Sequence, residues 1–362
     1  MPQSSRYDAD PALETLLWPF ACGALRWPAD GRVLFLRARC NALLREAASA
    51  SWVFAQSFKP HADALTRAGF SVTDSTIDGH FPLVLSLPPR QRDESRAAMA
   101  AALRAAPHGV VVASMANSEG ARTAEADFMR LAGSVQSLSK NKCRVFWSLP
   151  DAAATDRSLI DEWAALDAPR PIEDGRFVSR PGLFAWDHVD PGSRLLADHL
   201  PTTLAGRGAD IGSGFGYLSV EVLARCPRVA ALDLYEAEAR ALELARVNLA
   251  RADPVRTGAD RANSVSGSAR ATLDFLWHDV TAGLPRRYDF IVCNPPFHQG
   301  RADNPALGRA FVEAAHAALL PGGSLWLVAN RHLPYEDVLE SRFRQWRNVA
   351  ELDGFKIIQA TA

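Results

Sequence analysis

The tetrapeptide Asn294-Pro295-Pro296-Phe297, which closes the apolar run Phe290-Ile-Val-Cys293, holds the residues best suited to chemistry in this sequence. Two consecutive prolines fix the backbone and remove two N–H donors, so the segment presents carbonyl oxygens instead. With the Asn294 side chain, the Pro295 carbonyl makes a set of acceptors for the protons of a planar amine, whose lone pair then faces an electrophile. Phe297 offers a flat face on which a flipped-out base can stack, worth roughly 1–3 kcal/mol. His298 reads as a positioning residue rather than a base, because the amine proton becomes acidic only after transfer and water can then accept it.

The electrophile is indicated by Asp210-Ile-Gly-Ser-Gly-Phe-Gly-Tyr, between a strand and a helix. Gly212, Gly214 and Gly216 let the chain turn sharply and approach a ligand closely. Their spacing differs from the Gly-x-Gly-x-x-Gly that cradles a pyrophosphate, and the acid two residues before Gly212 would repel one. Asp210 can instead hold the charged amino-acid end of S-adenosyl-L-methionine, directly or through water, which makes that methyl donor the expected cofactor. Glu236, at the end of the second strand, is expected to accept both ribose hydroxyl protons. Asp233, inside the apolar run, is the alternative, and either acid can serve simply as a helix N-terminal charge. Asp279, after the third strand, is placed to accept from an adenine amino group or to cap a helix.

Such residues need a scaffold that brings strand ends together. The C-terminal half alternates short apolar runs with amphipathic stretches, the pattern of a parallel sheet covered by helices. Strands are expected at Gly208 to Ile211, Val229 to Tyr235, Leu273 to Trp277, Phe290 to Cys293, Ser324 to Val328 and Phe355 to Gln359. Helices are expected at Leu218 to Arg225, Ala237 to Ala250 and Gly308 to Leu320, and Arg251 to Ala271 reads as a long, mobile surface loop. The N-terminal half repeats the alternation, with strands at Arg32 to Leu36, Trp52 to Phe54, Pro82 to Leu87, Gly109 to Ser114 and Arg144 to Trp147.

The two halves echo each other. Phe81-Pro-Leu-Val-Leu-Ser-Leu-Pro-Pro matches Tyr288-Asp-Phe-Ile-Val-Cys-Asn-Pro-Pro, with Leu87 where Asn294 stands. Val111 to Asn117 likewise parallels Leu325 to Asn330, each a strand followed by Ala-Asn. The expected architecture is α/β, two tandem Rossmann-like class I methyltransferase domains over residues 1–170 and 171–362, the first one degenerate.

Composition narrows the partners. With 48% hydrophobic and 22% charged residues, both halves are expected to pack. Lys and Arg number 40 against 41 Asp and Glu, so any nucleic-acid contact must use a local basic patch, for which Arg287, Arg301, Arg309 and Arg331 are candidates. Five scattered cysteines without a Cys-x-x-Cys pair argue against a disulfide framework and a metal site. The first residues lack a signal-peptide pattern and no run is apolar enough to span a bilayer, so a cytoplasmic location without membrane contact is expected.

With both motifs in view, the sequence resembles the RsmC family, bacterial small-subunit (16S) ribosomal RNA guanine-N2 methyltransferases. The likeness lies in Arg180-Pro-Gly-Leu-Phe-Ala-Trp-Asp-His-Val-Asp190-Pro-Gly-Ser-Arg-Leu-Leu196, the Asp210 block, Asn294-Pro-Pro-Phe-His-Gln-Gly300 and Val328-Ala-Asn-Arg-His-Leu-Pro-Tyr-Glu-Asp-Val-Leu339. It covers residues 175 to 362 well and the N-terminal half loosely. The resemblance implies methylation of the N2 amine of a guanosine in 16S ribosomal RNA, within or outside the assembled subunit, and a first domain that serves folding and RNA binding. It also brings Phe184, Asp190 and Gly192 to the cofactor. The chain departs from the family in the length of the loop from Arg251 to Ala271 and in its more divergent first half. Two alternatives stand beside it: a methyltransferase acting on adenine N6 or protein glutamine, since the same acceptors serve any planar amine or amide, and a non-catalytic RNA-binding ribosome assembly factor.

Overall fold

The computed structural model describes residues 10–73, 79–149, 155–252, 271–296, 298–299, 302–303 and 305–362. Phe297, Arg301 and most of the expected loop from Arg251 to Ala271 lie outside the described residues. The chain divides into two compact units, Met1–Pro169 with Arg180–Gly182, and Arg170–Ser179 with Leu183–Ala362.

The first unit holds strands β1 (Val33–Leu36), β2 (Trp52–Ala55), β3 (Val72–Thr73), β4 (Leu83–Ser86), β5 (Val110–Ala116), β6 (Val135–Lys140) and β7 (Cys143–Ser148). They form one sheet in the order β3-β2-β1-β4-β5-β7-β6. Strand β7 runs antiparallel to both of its neighbours.

The second unit opens with a hairpin, β8 (Arg170–Ile172) and β9 (Phe177–Ser179). Its main strands are β10 (Ala205–Ile211), β11 (Arg228–Glu236), β12 (Thr272–Trp277) and β13 (Tyr288–Cys293). A small antiparallel pair follows, β14 (His298–Gln299) and β15 (Ala302–Asp303), then β16 (Leu319–Asn330), β17 (Gln345–Leu352) and β18 (Phe355–Thr361). The sheet order is β12-β11-β10-β13-β16-β18-β17, which is the order of the first unit. Both sheets reverse strand order beside their first strand, and α/β sheets bind ligands at such points, beyond the carboxyl ends of the strands.

Strand alternation decides which side chains meet there. Phe290 and Val292 enter one apolar core, with Leu232 and Leu234. Ile291 and Cys293 enter the core on the opposite face, with Ala209, Ile211 and Tyr235. By the two-residue period of a strand, Asp210, Glu236 and Asn294 belong to the first face and Asp233 to the other.

The short pairs β8–β9 and β14–β15 have no counterpart in the sequence expectation, and in the two seven-stranded sheets neither do β3, β6 and β17. These last three lie at sheet edges, and β6 and β17 are half exposed and polar, so their apolar signal is weak. The helix expected to reach Leu320 spans Pro305–Ala318 and passes directly into β16. The echo between Asn117 and Asn330 slips by one residue. Ser86 pairs with Ala113 and Cys293 with Leu327, which sets Ala116 opposite Asn330 and Asn117 opposite Arg331. Among the described residues no helix is long and apolar enough to cross a membrane.

Candidate active site

The site is set by register. Ile211 pairs with Tyr235 on one side and with Cys293 on the other, so Gly212 and Asn294, the first residues beyond β10 and β13, lie level with Glu236, the last residue of β11. The glycine loop is tied down there, with the Gly212 and Ser213 N–H groups donating to the Tyr235 carbonyl at 2.8 and 3.0 Å. Gly214 N–H donates to Glu236 Oε2 at 2.7 Å.

All three glycines have positive φ, which side-chain-bearing residues adopt at a cost. At Gly216 a second reason is steric, since a Cβ would come within 2.8 Å of Leu249 Cδ1 and 3.1 Å of Ala245 Cβ on the following helix, Ala239–Ala252. A Cβ on Gly214 would meet nothing within 4 Å, as expected of a backbone that faces a ligand.

Asp210 is fully buried. Its Oδ2 accepts from Ser219 Oγ at 2.7 Å, while Oδ1 has no partner. Burial is the main cause that pushes its carboxyl up to about 7; Ser219 opposes the shift and the charge of Glu236 adds to it. An unpartnered buried carboxylate oxygen is costly, and a cationic ammonium placed against it would restore its charge and satisfy it. Glu236 is half-buried and its carboxyl is also raised, by burial above all. Besides Gly214 it accepts from Glu238 N–H at 2.8 Å through Oε1, leaving one further lone pair on each oxygen for ribose hydroxyls.

Asp233 is used elsewhere. It is buried on the opposite face, with Arg207 at 3.1 Å, Arg286 at 2.9 Å and the Tyr288 hydroxyl donating to it at 2.8 Å. Asp279 is the N-cap of a short 3-10 turn, Val280–Ala282, and its Oδ1 accepts from the N–H and the hydroxyl of Thr281. The capping reading of the sequence is thus realised with one of its two oxygens.

Asn294 is oriented by contacts the sequence motif did not reveal. Its Nδ2 donates to Asp190 Oδ2 at 3.0 Å and to Ser193 Oγ at 2.8 Å. A carboxylate only accepts, so the amide nitrogen must face Asp190 and Oδ1 is turned away from it, with no donor among the described residues. Asp190 is itself held, as N-cap of the helix Pro191–His199, accepting Ser193 N–H at 2.7 Å. Gly192 lies in that turn because a Cβ would come within 2.9 Å of the Phe355 ring. Pro295 is buried and Pro296 exposed. Phe184 is 60% exposed, on the turn before Asp190.

Asn248 also went unnoticed as a site-building residue. It is buried, and its amide donates to the carbonyls of Val178 and Phe215 at 2.9 Å, joining the hairpin to the glycine loop. A buried asparagine on a helix is its only sequence signal.

The expected basic contacts divide. Arg331 follows the carboxyl end of β16 on the side of the site and is exposed. Arg287 precedes β13, at the opposite end of that strand from Asn294, and its guanidinium is bound to the Ala317 carbonyl. It is therefore not beside the site; the proximity of Arg287 suggested by the sequence is removed by strand direction. Arg309 lies on the helix Pro305–Ala318. Among the described residues no group of three or more His, Cys, Asp or Glu side chains is placed to hold a metal.

Residues 174–359 match the model of the methyltransferase small domain family, just over half of the 362-residue chain. The chain is similar to ribosomal RNA small subunit methyltransferase C of Serratia proteamaculans, with 30% identity over 68% of this chain and 64% of that protein. It is similar to ribosomal RNA large subunit methyltransferase G of Ectopseudomonas mendocina, with 34% identity over 63% of this chain and 57% of that protein. The chain thus spans less than two thirds of the length of these curated relatives. In fold it is similar to a T. thermophilus 16S rRNA N2 G1207 methyltransferase solved with AdoMet and guanosine. The TM-score is 0.75 at 22% identity, over 99% of this chain and 93% of that one, which supports an α/β fold of two methyltransferase-like domains.

Proposed function

The chain belongs to the methyltransferase small domain family, and on that premise we propose that it methylates the exocyclic N2 amine of a guanosine in small-subunit (16S) ribosomal RNA, using S-adenosyl-L-methionine, in the cytoplasm. The observation that carries the reading is the fixed amide of Asn294, whose Oδ1 meets no donor among the described residues and lies at the strand end adjoining the glycine loop.

Bound at that loop, S-adenosyl-L-methionine supplies a methyl carbon already activated by the positive charge of its sulfonium. Asp210 holds the ammonium group through Oδ1, Glu236 takes the ribose hydroxyls, and Asp279 takes the adenine amine with the oxygen its cap leaves over. Gly212, Gly214 and Gly216 give the backbone its approach. Asn294 Oδ1 and the Pro295 carbonyl hold the two amine protons, which turns the nitrogen lone pair out of conjugation and toward the methyl group. The base-stacking role of Phe297 rests on the sequence motif alone, and the surplus proton leaves to water. Positioning and electrostatic complementarity supply the rate, with no base needed. The small-subunit relatives and the guanosine complex of the structural neighbour support this choice of substrate.

A second reading, methylation of large-subunit ribosomal RNA, is favoured by the likeness to large subunit methyltransferase G. The test is transfer of labelled methyl from the cofactor to isolated 16S and large-subunit RNA, to assembled small subunits, to DNA and to protein, followed by nucleoside analysis. N2-methylguanosine in 16S RNA, free or assembled, is the expected product. Label in adenine or glutamine, or none at all, would refute the reading.

A further inference from the structure

The matched registers of the two sheets allow the ligand end of the second unit to be mapped onto the first. Leu36 pairs with Ala55 and Ser86, as Ile211 pairs with Tyr235 and Cys293. One residue further, Gln56 therefore corresponds to Glu236 and Leu87 to Asn294, while Phe35 corresponds to Asp210. Arg37 and Arg39 correspond to Gly212 and Gly214, and Arg90 to Phe297.

The backbone follows the same path, since Arg37 keeps a positive φ of 55° where Gly212 has 76°. A non-glycine residue held there is strained, which marks a place where the side chain has been kept despite the backbone. The two acids of the second unit are thus replaced by neutral side chains, and two glycines and an aromatic by arginines.

The arginines are anchored yet still reach solvent. Arg37 pairs with the buried Glu94 at 2.7 Å and keeps 35% of its side chain exposed. Arg39 pairs with Asp10 at 3.1 Å and keeps 32%. Arg90 is exposed, and two residues on, Arg92 shares Asp127 with Arg96. Arg37, Arg39, Arg92 and Arg96 are paired with Glu94, Asp10 and Asp127, and the charge of Asp93 also acts on Arg92, so with Arg90 these five arginines and four carboxylates leave one surplus positive charge. His61 responds to it: burial first, then the charges of Arg39 and Arg37 against the opposing pull of Asp10, bring its pKa down to about 4.

We propose that this crevice, beyond the carboxyl ends of β1 and β4 in the first unit, binds a phosphate group of the RNA substrate. The inference rests on the ribosomal RNA reading above. A nucleoside cofactor is disfavoured there by the loss of the ribose acceptor and of both glycines. A phosphodiester is favoured because its oxygens accept from guanidinium N–H groups in the planar, paired geometry that arginine offers. The net charge of −1 for the whole chain makes such a local site the means of holding a polyanion.

The test uses the full chain with Arg39→Gln, Arg90→Gln and the double substitution, with Arg90→Lys as a charge-keeping control. Affinity for naked 16S ribosomal RNA is measured over roughly 50–200 mM salt. Each lost phosphate contact is expected to weaken binding severalfold and to reduce the slope of log K against log salt by about 0.7–0.9, with Arg90→Lys near wild type. Cofactor affinity and melting temperature should not move for Arg90→Gln, which breaks no ion pair among the described residues. Unchanged affinity and slope in variants of a chain that methylates RNA would overturn the crevice alone. Failure of the wild-type chain to bind or methylate any RNA would overturn the substrate reading as well.

Discussion

The two units share strand order, strand polarity and register, yet only one carries the side chains proposed to hold a methyl donor. The clearest contrast is Gln56 against Glu236. Both accept a backbone N–H two residues ahead, from Phe58 and Glu238. The carboxylate also accepts from Gly214, whereas the Gln56 amide donates to the Ala38 carbonyl at 2.6 Å and is spent within the protein. One substitution thus separates a proposed ligand acceptor from a loop fastener. Buried apolar strands specify the fold, and a handful of residues just past the strand ends specify the chemistry, so the second can be lost while the first persists.

Four measurements can break or sharpen that comparison. Asn294→Ala should have the largest effect, lowering the single-turnover methyl-transfer rate by about 10²–10³, the scale of losing a preorganised polar group, while Leu87→Ala in the first unit affects stability only. Retained turnover in Asn294→Ala would show that the acceptor set is not where the amine binds.

Asp190→Asn should come next. The amide of Asn294 would lose its carboxylate anchor and could flip, so kcat should fall about tenfold with little change in cofactor Kd. Ser193→Ala should do the same more weakly; a pure rise in KM for both would argue for a merely structural link.

The third concerns pH. Burial pushes the Asp210 carboxyl up to about 7 from its ordinary 3.8, so the cofactor-free protein loses the advantage of its protonated carboxyl as pH rises between those values. Its melting temperature should fall over that range. Cofactor affinity should run the other way, improving by up to about tenfold per pH unit below pH 7 and levelling above it, because the ammonium needs the ionised form. Calorimetry on Asp210→Asn should lose that dependence; a slope unchanged by the substitution would assign it to another group.

The smallest effect is expected for Gln56→Ala, which removes one buried and one partly buried hydrogen bond and should cost about 1–3 kcal/mol by denaturant titration, with methyl transfer unaffected in the folded fraction. A matching loss of cofactor binding would contradict the separation of roles between the units.

Much of this was legible in the residues themselves. Continuous apolar runs such as Phe290 to Cys293 mark buried strands because both faces of a covered sheet exclude water, and the glycine and proline motifs mark strand ends because only they permit the required backbone. The edge strands β6 and β17 escaped because one side of each faces solvent.

Other features depended on distance in space. The choice of Glu236 over Asp233 follows from strand parity, and the partners of Asp233, Arg207 and Tyr288, lie 26 and 55 residues away in sequence. The orientation of Asn294 depends on Asp190, 104 residues earlier. Local pattern determines which residues are able to act, because propensity and burial are short-range properties of the chain. Which of them meet, and which way an amide or a carboxylate faces, is decided only when the strands align and bring remote hydrogen-bond partners within reach.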